Sequence, residues 1–215
     1  MSISGAIKPR QKLRINLSKI ASVCTKDYLS KNGLIDEDDL SKVMPVCYLE
    51  GVTDDFHRHV KTYTTKHPVD KVWKAYLNIP PVASWAGKRI KFSFSYNKET
   101  KRFHYLNDEY SGLKVNQLIF IEIKLLFGLI KLAVTHHVNQ ILPDKKKIKL
   151  CYVQGGKSAG SQIICFEKIT DSETRIVHET FYKSDSEFRD KKLYPMLHEK
   201  IINQFHQNVF KYLEA

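Results

Sequence analysis

From residue 56 onward the chain alternates apolar and polar residues at period two in a series of short runs, and it closes on one long stretch at helical period. Residues 56–65 (FHRHVKTYTT) place Phe56, Arg58, Val60, Thr62 and Thr64 on one face of a strand. His67-Pro68-Val69-Asp70 interrupts that run, and Val69, Val72, Trp73 and Tyr76 take up a helical spacing that Pro68 is suited to start. Ile79-Pro80-Pro81 ends the helix, and residues 81–85 have room for one more turn. Strand patterns follow at 90–96 (IKFSFSY, with Ile90, Phe92, Phe94 and Tyr96 alternating), 102–106, 132–141, 147–155, 158–169 and 174–184. The separators are turn chemistry: Asn97-Lys98, Pro143-Asp144, Gly155-Gly156 and Asp171-Ser172. Successive strands joined by short turns predict an antiparallel meander. Residues 189–213 carry Leu193, Leu197, Ile201, Phe205 and Tyr212 on one broad helical face, with Pro195 in the first turns.

Two segments stand apart from this pattern. In the first 55 residues, Leu13, Leu17, Ile20 and Cys24 recur at helical spacing and predict a short amphipathic helix. Asn32-Gly33 breaks it, and Asp36-Glu37-Asp38-Asp39 opens a second small helix before Pro45, so residues 1–55 read as a helical arm or lid. Residues 118–134 (LIFIEIKLLFGLIKLAV) nearly lose the alternation. Glu122, Lys124, Gly128 and Lys131 interrupt the run and argue against a membrane span. Two buried strands bent at Gly128 are expected, with a pocket-gating or membrane-touching loop as the alternative. Cover from the arm would let both faces of these strands be apolar.

Composition narrows the class without naming a chemistry. A chain of 215 residues, 42% hydrophobic and 27% charged, supports one sizeable core, and 22 Phe and Tyr against 9 Gly suit strands and pocket walls. The net charge of +12 arises wholly after residue 55, because residues 1–55 hold 8 basic and 8 acidic side chains. The densest basic patch, Lys145-Lys146-Lys147 with Lys149, follows a Pro-Asp turn signal and reads as a solvated hairpin tip. With fingers, recognition-helix patterns and aromatic RNA-binding signatures all missing, no nucleic-acid partner is expected. Cys24, Cys47, Cys151 and Cys165 form no C-x-x-C pair and read as reduced, mostly buried thiols. The opening MSISGAIKPRQK has no apolar signal core, so a cytoplasmic location is expected, with an organelle-targeting reading left open.

The order strand, two short helices, antiparallel strands and one long closing helix resembles the START-like superfamily, which includes polyketide cyclases, lipid-transfer domains and the birch pollen allergen. Residues 65–77 (TKHPVDKVWKAYL) are similar to its opening, where a proline-led helix carries a Val-Trp pair. Residues 155–166 (GGKSAGSQIICF) with 175–182 (RIVHETFY) are similar to its late hairpin, and 193–213 to its closing helix. The resemblance runs from about Phe56 to the end and implies an α+β helix-grip domain, 56–215, with a curved antiparallel sheet wrapped around the C-terminal helix. It also implies a deep cavity between sheet and helix, but no particular reaction.

Such a cavity is apolar with a few aimed polar groups. Trp73, Trp85, Phe92, Phe94 and Tyr152 are its expected walls, with Ile201 and Phe205 from the helix. One of His178 and Glu179 must face inward, and either is a candidate ligand contact or base. His198, Asn203, Gln204 and Asn208 are the helix residues most able to present polar groups. No metal is expected: His136 and His137 point to opposite faces of one strand, and His198 and His206 lie two turns apart. Gly155-Gly156-Lys157-Ser158 lacks the leading glycine of a phosphate loop, and Ser158-Ala159-Gly160-Ser161 is no nucleophile elbow. The expected function is binding, transport or presentation of a hydrophobic small molecule or lipid, with no cofactor and possible transient contact with a membrane surface. The alternative is a cavity enzyme of the cyclase or dehydratase type with His178 or Glu179 as base.

Overall fold

Period-two alternation becomes strand along most of the chain. The computed structural model describes residues 12–52, 55–125 and 128–215. The opening residues 1–11, which bear on the expected absence of a leader, and residues 126–127 of the apolar run lie outside the described residues. The strands are β1 (Pro45–Val46), β2 (His57–Thr65), β3 (Ile90–Asn97), β4 (Arg102–His104), β5 (Gln117–Leu125), β6 (Ile130–Leu142), β7 (Lys147–Val153), β8 (Ser158–Thr170) and β9 (Glu173–Ser184). They form one antiparallel sheet in the order β2-β9-β8-β7-β6-β5-β3-β4, with β1 added beside the end of β7. The helices are α1 (Val23–Lys31), α2 (Glu37–Lys42), α3 (Val69–Asn78), α4 (Pro81–Ser84) and α5 (Tyr194–Glu214), and a π-helical turn (Arg189–Leu193) leads into α5. This is the helix-grip architecture, with α5 held against the inner face of the sheet.

Two cores lie on opposite faces of the sheet. The inner core joins Trp73 and Tyr76 of α3, Trp85 after α4, and Ile201, Phe205 and Val209 of α5 to inward strand residues such as Ile119 and Ile148. The outer core joins Ile15, Ile20, Leu29, Leu40 and Val43 of the arm to Phe94, Tyr96, Leu118 and Phe120. The lost alternation of β5 follows from this. Ile119 and Ile121 face the helix core and Leu118 and Phe120 face the arm, so neither face needs polar residues. Gly128, at φ +94, sits in the connection between β5 and β6.

Three expectations are corrected by the tertiary structure. The helix expected from Leu13 to Cys24 does not form: α1 begins at Val23, where the Ser22 side chain accepts the Thr25 N–H. Ahead of it the chain runs mostly extended, with Ile15 N–H donating to Ile35 O and Glu37 N–H to Leu13 O, so Ile15 and Ile20 are buried while Leu13 and Leu17 are exposed. The four cysteines are not all thiols, because Cys47 and Cys151, 104 residues apart, are joined in a disulfide. Pairing does it: Val46 lies opposite Tyr152, which brings the next residue of the arm to its neighbour on β7. The third correction concerns β3. Phe92 pairs with Ile121 but Phe94 with Phe120, so Ser93 is an extra residue and every side chain beyond it changes face. Phe94 therefore belongs to the outer core and not to the helix side.

The arm enters the sheet where β7 and β8 part. Their pairing ends at Cys151 and Ser161, and the next residues of β7 pair with β1 instead. Tyr48 seals the junction, donating its N–H to Ser161 Oγ at 2.9 Å and stacking on Phe181 at 3.8 Å. Beside it, Gly160 lets β8 lie against β9, since a Cβ there would meet Phe181 O at 1.9 Å.

Candidate functional site

A cavity of about 210 Å³ lies between the inner face of the sheet and α5. Trp85, Ile121, Val134 and Ile201 form apolar walls, and Tyr152, Gln162, His136, Tyr194 and His198 are polar residues of the lining. Leu125 and Leu132, Lys157 of the β7–β8 turn, and Arg189 and Leu193 of the π turn also line it, and the exposure of Lys157 and Leu193 marks its solvent side, the mouth. Arg189 spans that mouth, donating from Nη2 to Lys157 O at 2.7 Å and from Nε to Ser184 Oγ at 3.0 Å.

The polar side chains form a closed circuit. Gln162 Nε2 donates to His136 Nε2 at 2.8 Å and to Tyr152 Oη at 3.2 Å, and its Oε1 accepts from His178 Nε2 at 3.1 Å. His178 meets His198 edge-on at 6.0 Å between ring centroids, His198 stacks on Tyr194 at 5.0 Å, and the Tyr194 and Tyr152 hydroxyls hydrogen-bond. Tyr152 lies 5.2 Å from His136, which closes the ring. Behind it, His178 Nδ1 accepts from His206 Nε2 at 2.8 Å, and His206 Nδ1 accepts the Tyr76 hydroxyl at 2.5 Å. An amide oxygen only accepts, so Gln162 sets the proton of His178 on Nε2 and thereby the tautomer of His206.

Burial removes charge from the whole group. It lowers His136 to about 4 and His206 to about 3, and pushes His178 and His198 well below the ordinary imidazole value. The same desolvation raises the Tyr76 and Tyr194 hydroxyls well above theirs. The site is therefore a neutral hydrogen-bonding floor under an apolar chamber. Among the described residues, no three His, Cys, Asp or Glu side chains are grouped to hold a metal ion.

Of the residues singled out from the sequence, Trp85, Tyr152, His198 and Ile201 line this cavity. Phe205 lies beside it, packed on Trp85 at 4.5 Å and lining a second cavity of about 30 Å³. Trp73 and Phe92 are core, Trp73 resting on Phe166 at 5.5 Å. Of the adjacent pair, His178 faces inward, while Glu179 faces away and accepts from Arg58 at 2.5 Å. Asn208 donates to Ser84 O and Ala86 O and so ties α5 to the end of α4, and Asn203 accepts the Tyr63 hydroxyl. Gln162, His206, Tyr76 and Tyr194 were not expected at the site. Inward period-two spacing on β8 could have marked Gln162; nothing local marks the others.

No protein-family model matches the chain, and no curated protein does. Solved structures do. The Zhui aromatase/cyclase from Streptomyces sp. R1128 aligns at 11% identity and a TM-score of 0.54, over 74% of this chain and 94% of its own. Ginseng major latex-like protein 151 from Panax ginseng aligns at 10% identity and 0.53, over 74% and 99%. Norcoclaurine synthase from Thalictrum flavum aligns at 12% identity and 0.51, over 78% and 94%. At such identities the likeness is one of fold, and the shared fold is the helix-grip.

Proposed function

We propose, from this START-like helix-grip fold, that the protein binds an apolar small molecule of about one or two rings in the cavity between the sheet and α5, and carries or presents it. The observation that supports this is the cavity itself, apolar for most of its wall and floored by uncharged hydrogen-bonding groups. A cavity of ~150 Å³ accommodates benzene, so about 210 Å³ suits a somewhat larger molecule. Residues 1–55 act as a structural cover and 56–215 as the binding domain.

A second reading, catalysis on the bound molecule, is favoured by one observation: both nitrogens of the buried His198 imidazole lack a partner. His178 has both nitrogens engaged and Glu179 points outward, so the base in this reading is His198. Two proteins of like fold, the aromatase/cyclase and norcoclaurine synthase, carry the names of enzymes.

The mouth also suits passing contact with an anionic membrane surface. Leu129 is 86% exposed beyond the Leu125–Ile130 pair, Phe188 and Leu193 are exposed ahead of α5, and Lys131 and Lys157 are exposed as well. No helix among the described residues is long and apolar enough to cross a membrane. A cytoplasmic location sits poorly with the Cys47–Cys151 disulfide, which favours an oxidising compartment.

Native mass spectrometry of protein purified without detergent, with titration of a polyaromatic probe, tests the binding reading. Saturable one-to-one binding is expected, and Ile201→Trp, which fills the cavity, should abolish it. If no probe binds the intact chain, the cavity is not a binding site.

A further inference from the structure

The circuit at the inner end of the cavity is almost fully satisfied, and what is left over specifies a ligand group. Gln162 uses both amide hydrogens and its oxygen on His136, Tyr152 and His178, and the Tyr152 and Tyr194 hydroxyls are bonded to each other. His136 accepts from Gln162 at Nε2, so its proton is on Nδ1, which is buried without a partner. His198 is 7% exposed, lines the same cavity, and has neither nitrogen engaged. Two imidazole N–H donors, the one tyrosine O–H that the Tyr152–Tyr194 bond leaves over, and the His198 lone pair thus remain in a dry site, where unmade hydrogen bonds are costly.

We infer that the inner end of the cavity recognises an uncharged hydroxyl or carbonyl group on a one- or two-ring molecule, through His198 and His136. A hydroxyl both donates and accepts, as a neutral imidazole does, and a carbonyl takes the N–H donors. A carboxylate lacks a free buried cation there, because of the two lining cations Arg189 is already paired with Asp185 Oδ1 at 2.7 Å and Lys157 is exposed to solvent in the β7–β8 turn. An ammonium group lacks an anion, because no carboxylate is among the lining residues: Glu179 is paired with Arg58 on the other side of β9, and the buried Asp190 accepts the Ser184 N–H. The inference rests on the binding reading above and adds the chemistry of the ligand's polar end.

The test compares naphthalene, 2-naphthol and 2-naphthoate on the full chain near neutral pH, by calorimetry or Trp fluorescence. 2-Naphthol should bind roughly tenfold or more tighter than either of the others, the equivalent of one buried hydrogen bond. His198→Phe should narrow the preference for 2-naphthol over naphthalene severalfold, while His198→Gln should keep most of it. Equal binding of naphthalene and 2-naphthol by the unaltered protein, or tightest binding of 2-naphthoate, overturns the inference and leaves the cavity reading standing. If none of the three binds, the cavity reading falls and takes the inference with it.

Discussion

His206 donates from Nε2 to Nδ1 of His178 at 2.8 Å, and both imidazoles are buried with their remaining nitrogens bonded to Tyr76 and Gln162. Neither ring has room for a second proton without breaking a bond. His136 at about 4 and His206 at about 3 are neutral in the fold, as are His178 and His198, whereas an unfolded imidazole titrates near ~6.5.

Acid should therefore unfold this protein early. Below about pH 6.5 the unfolded chain takes up protons that the folded chain refuses, so this contribution to stability is complete above that pH and is lost as pH falls toward the folded values. Each imidazole costs roughly 1.4 kcal/mol per pH unit in that window, and four together rival the stability of a whole domain. Thermal unfolding followed from pH 8 to 4.5 should show a steep fall in Tm below about 6.5. A flat profile would mean that the cluster is not buried and neutral.

Phe205 packs between Trp85 at 4.5 Å and Tyr76 at 5.9 Å, and both it and Trp85 line the smaller cavity. Phe205→Ala should cost about 3–5 kcal/mol by chemical denaturation. Removing the ring should also join the two cavities, so the variant is expected to admit larger polyaromatic probes than the parent. Unchanged stability would place this ring outside the core.

The Cys47–Cys151 bond ties the arm to β7 next to the cavity-lining Tyr152. Unfolding without reductant and alkylating should label two cysteines, Cys24 and Cys165, and reduction should raise the number to four. Cys47→Ser should lower stability by about 2–5 kcal/mol. Four labelled cysteines before reduction would restore the reading of all four as thiols.

Deleting residues 1–50 uncovers the outer face of the sheet, where Phe94, Tyr96, Leu118 and Phe120 now lie buried against the arm. The truncated chain should aggregate on purification, because large exposed apolar patches self-associate. A truncation that stays monomeric with an unchanged Tm would show that the arm is not a cover.

The elements were legible because they depend on local periodicity. The strand runs, the Pro68-led helix and the spacing of Ile201 and Phe205 on α5 all come from side chains a few residues apart, where one buried face imposes its repeat. Sequence also placed His136 and His137 on opposite faces, and the lost alternation of residues 118–134 pointed to cover on both faces, with a pocket-gating loop as the alternative. Which face a residue joins was decided elsewhere. The extra Ser93 moved Phe94 to the arm side, and a bulge takes its identity from the partner strand, not from the residues that form it. Leu13 and Leu17 of the arm show a helical spacing, yet residues 13–15 pair with residues 35–37 and run extended, and only a 3-10 turn forms at Leu17–Lys19. The His178–Gln162–His136 circuit joins residues from separate strands, and the disulfide joins β7 to the residue that follows β1. Their contacts depend on strand register, a long-range property that no short window of sequence contains.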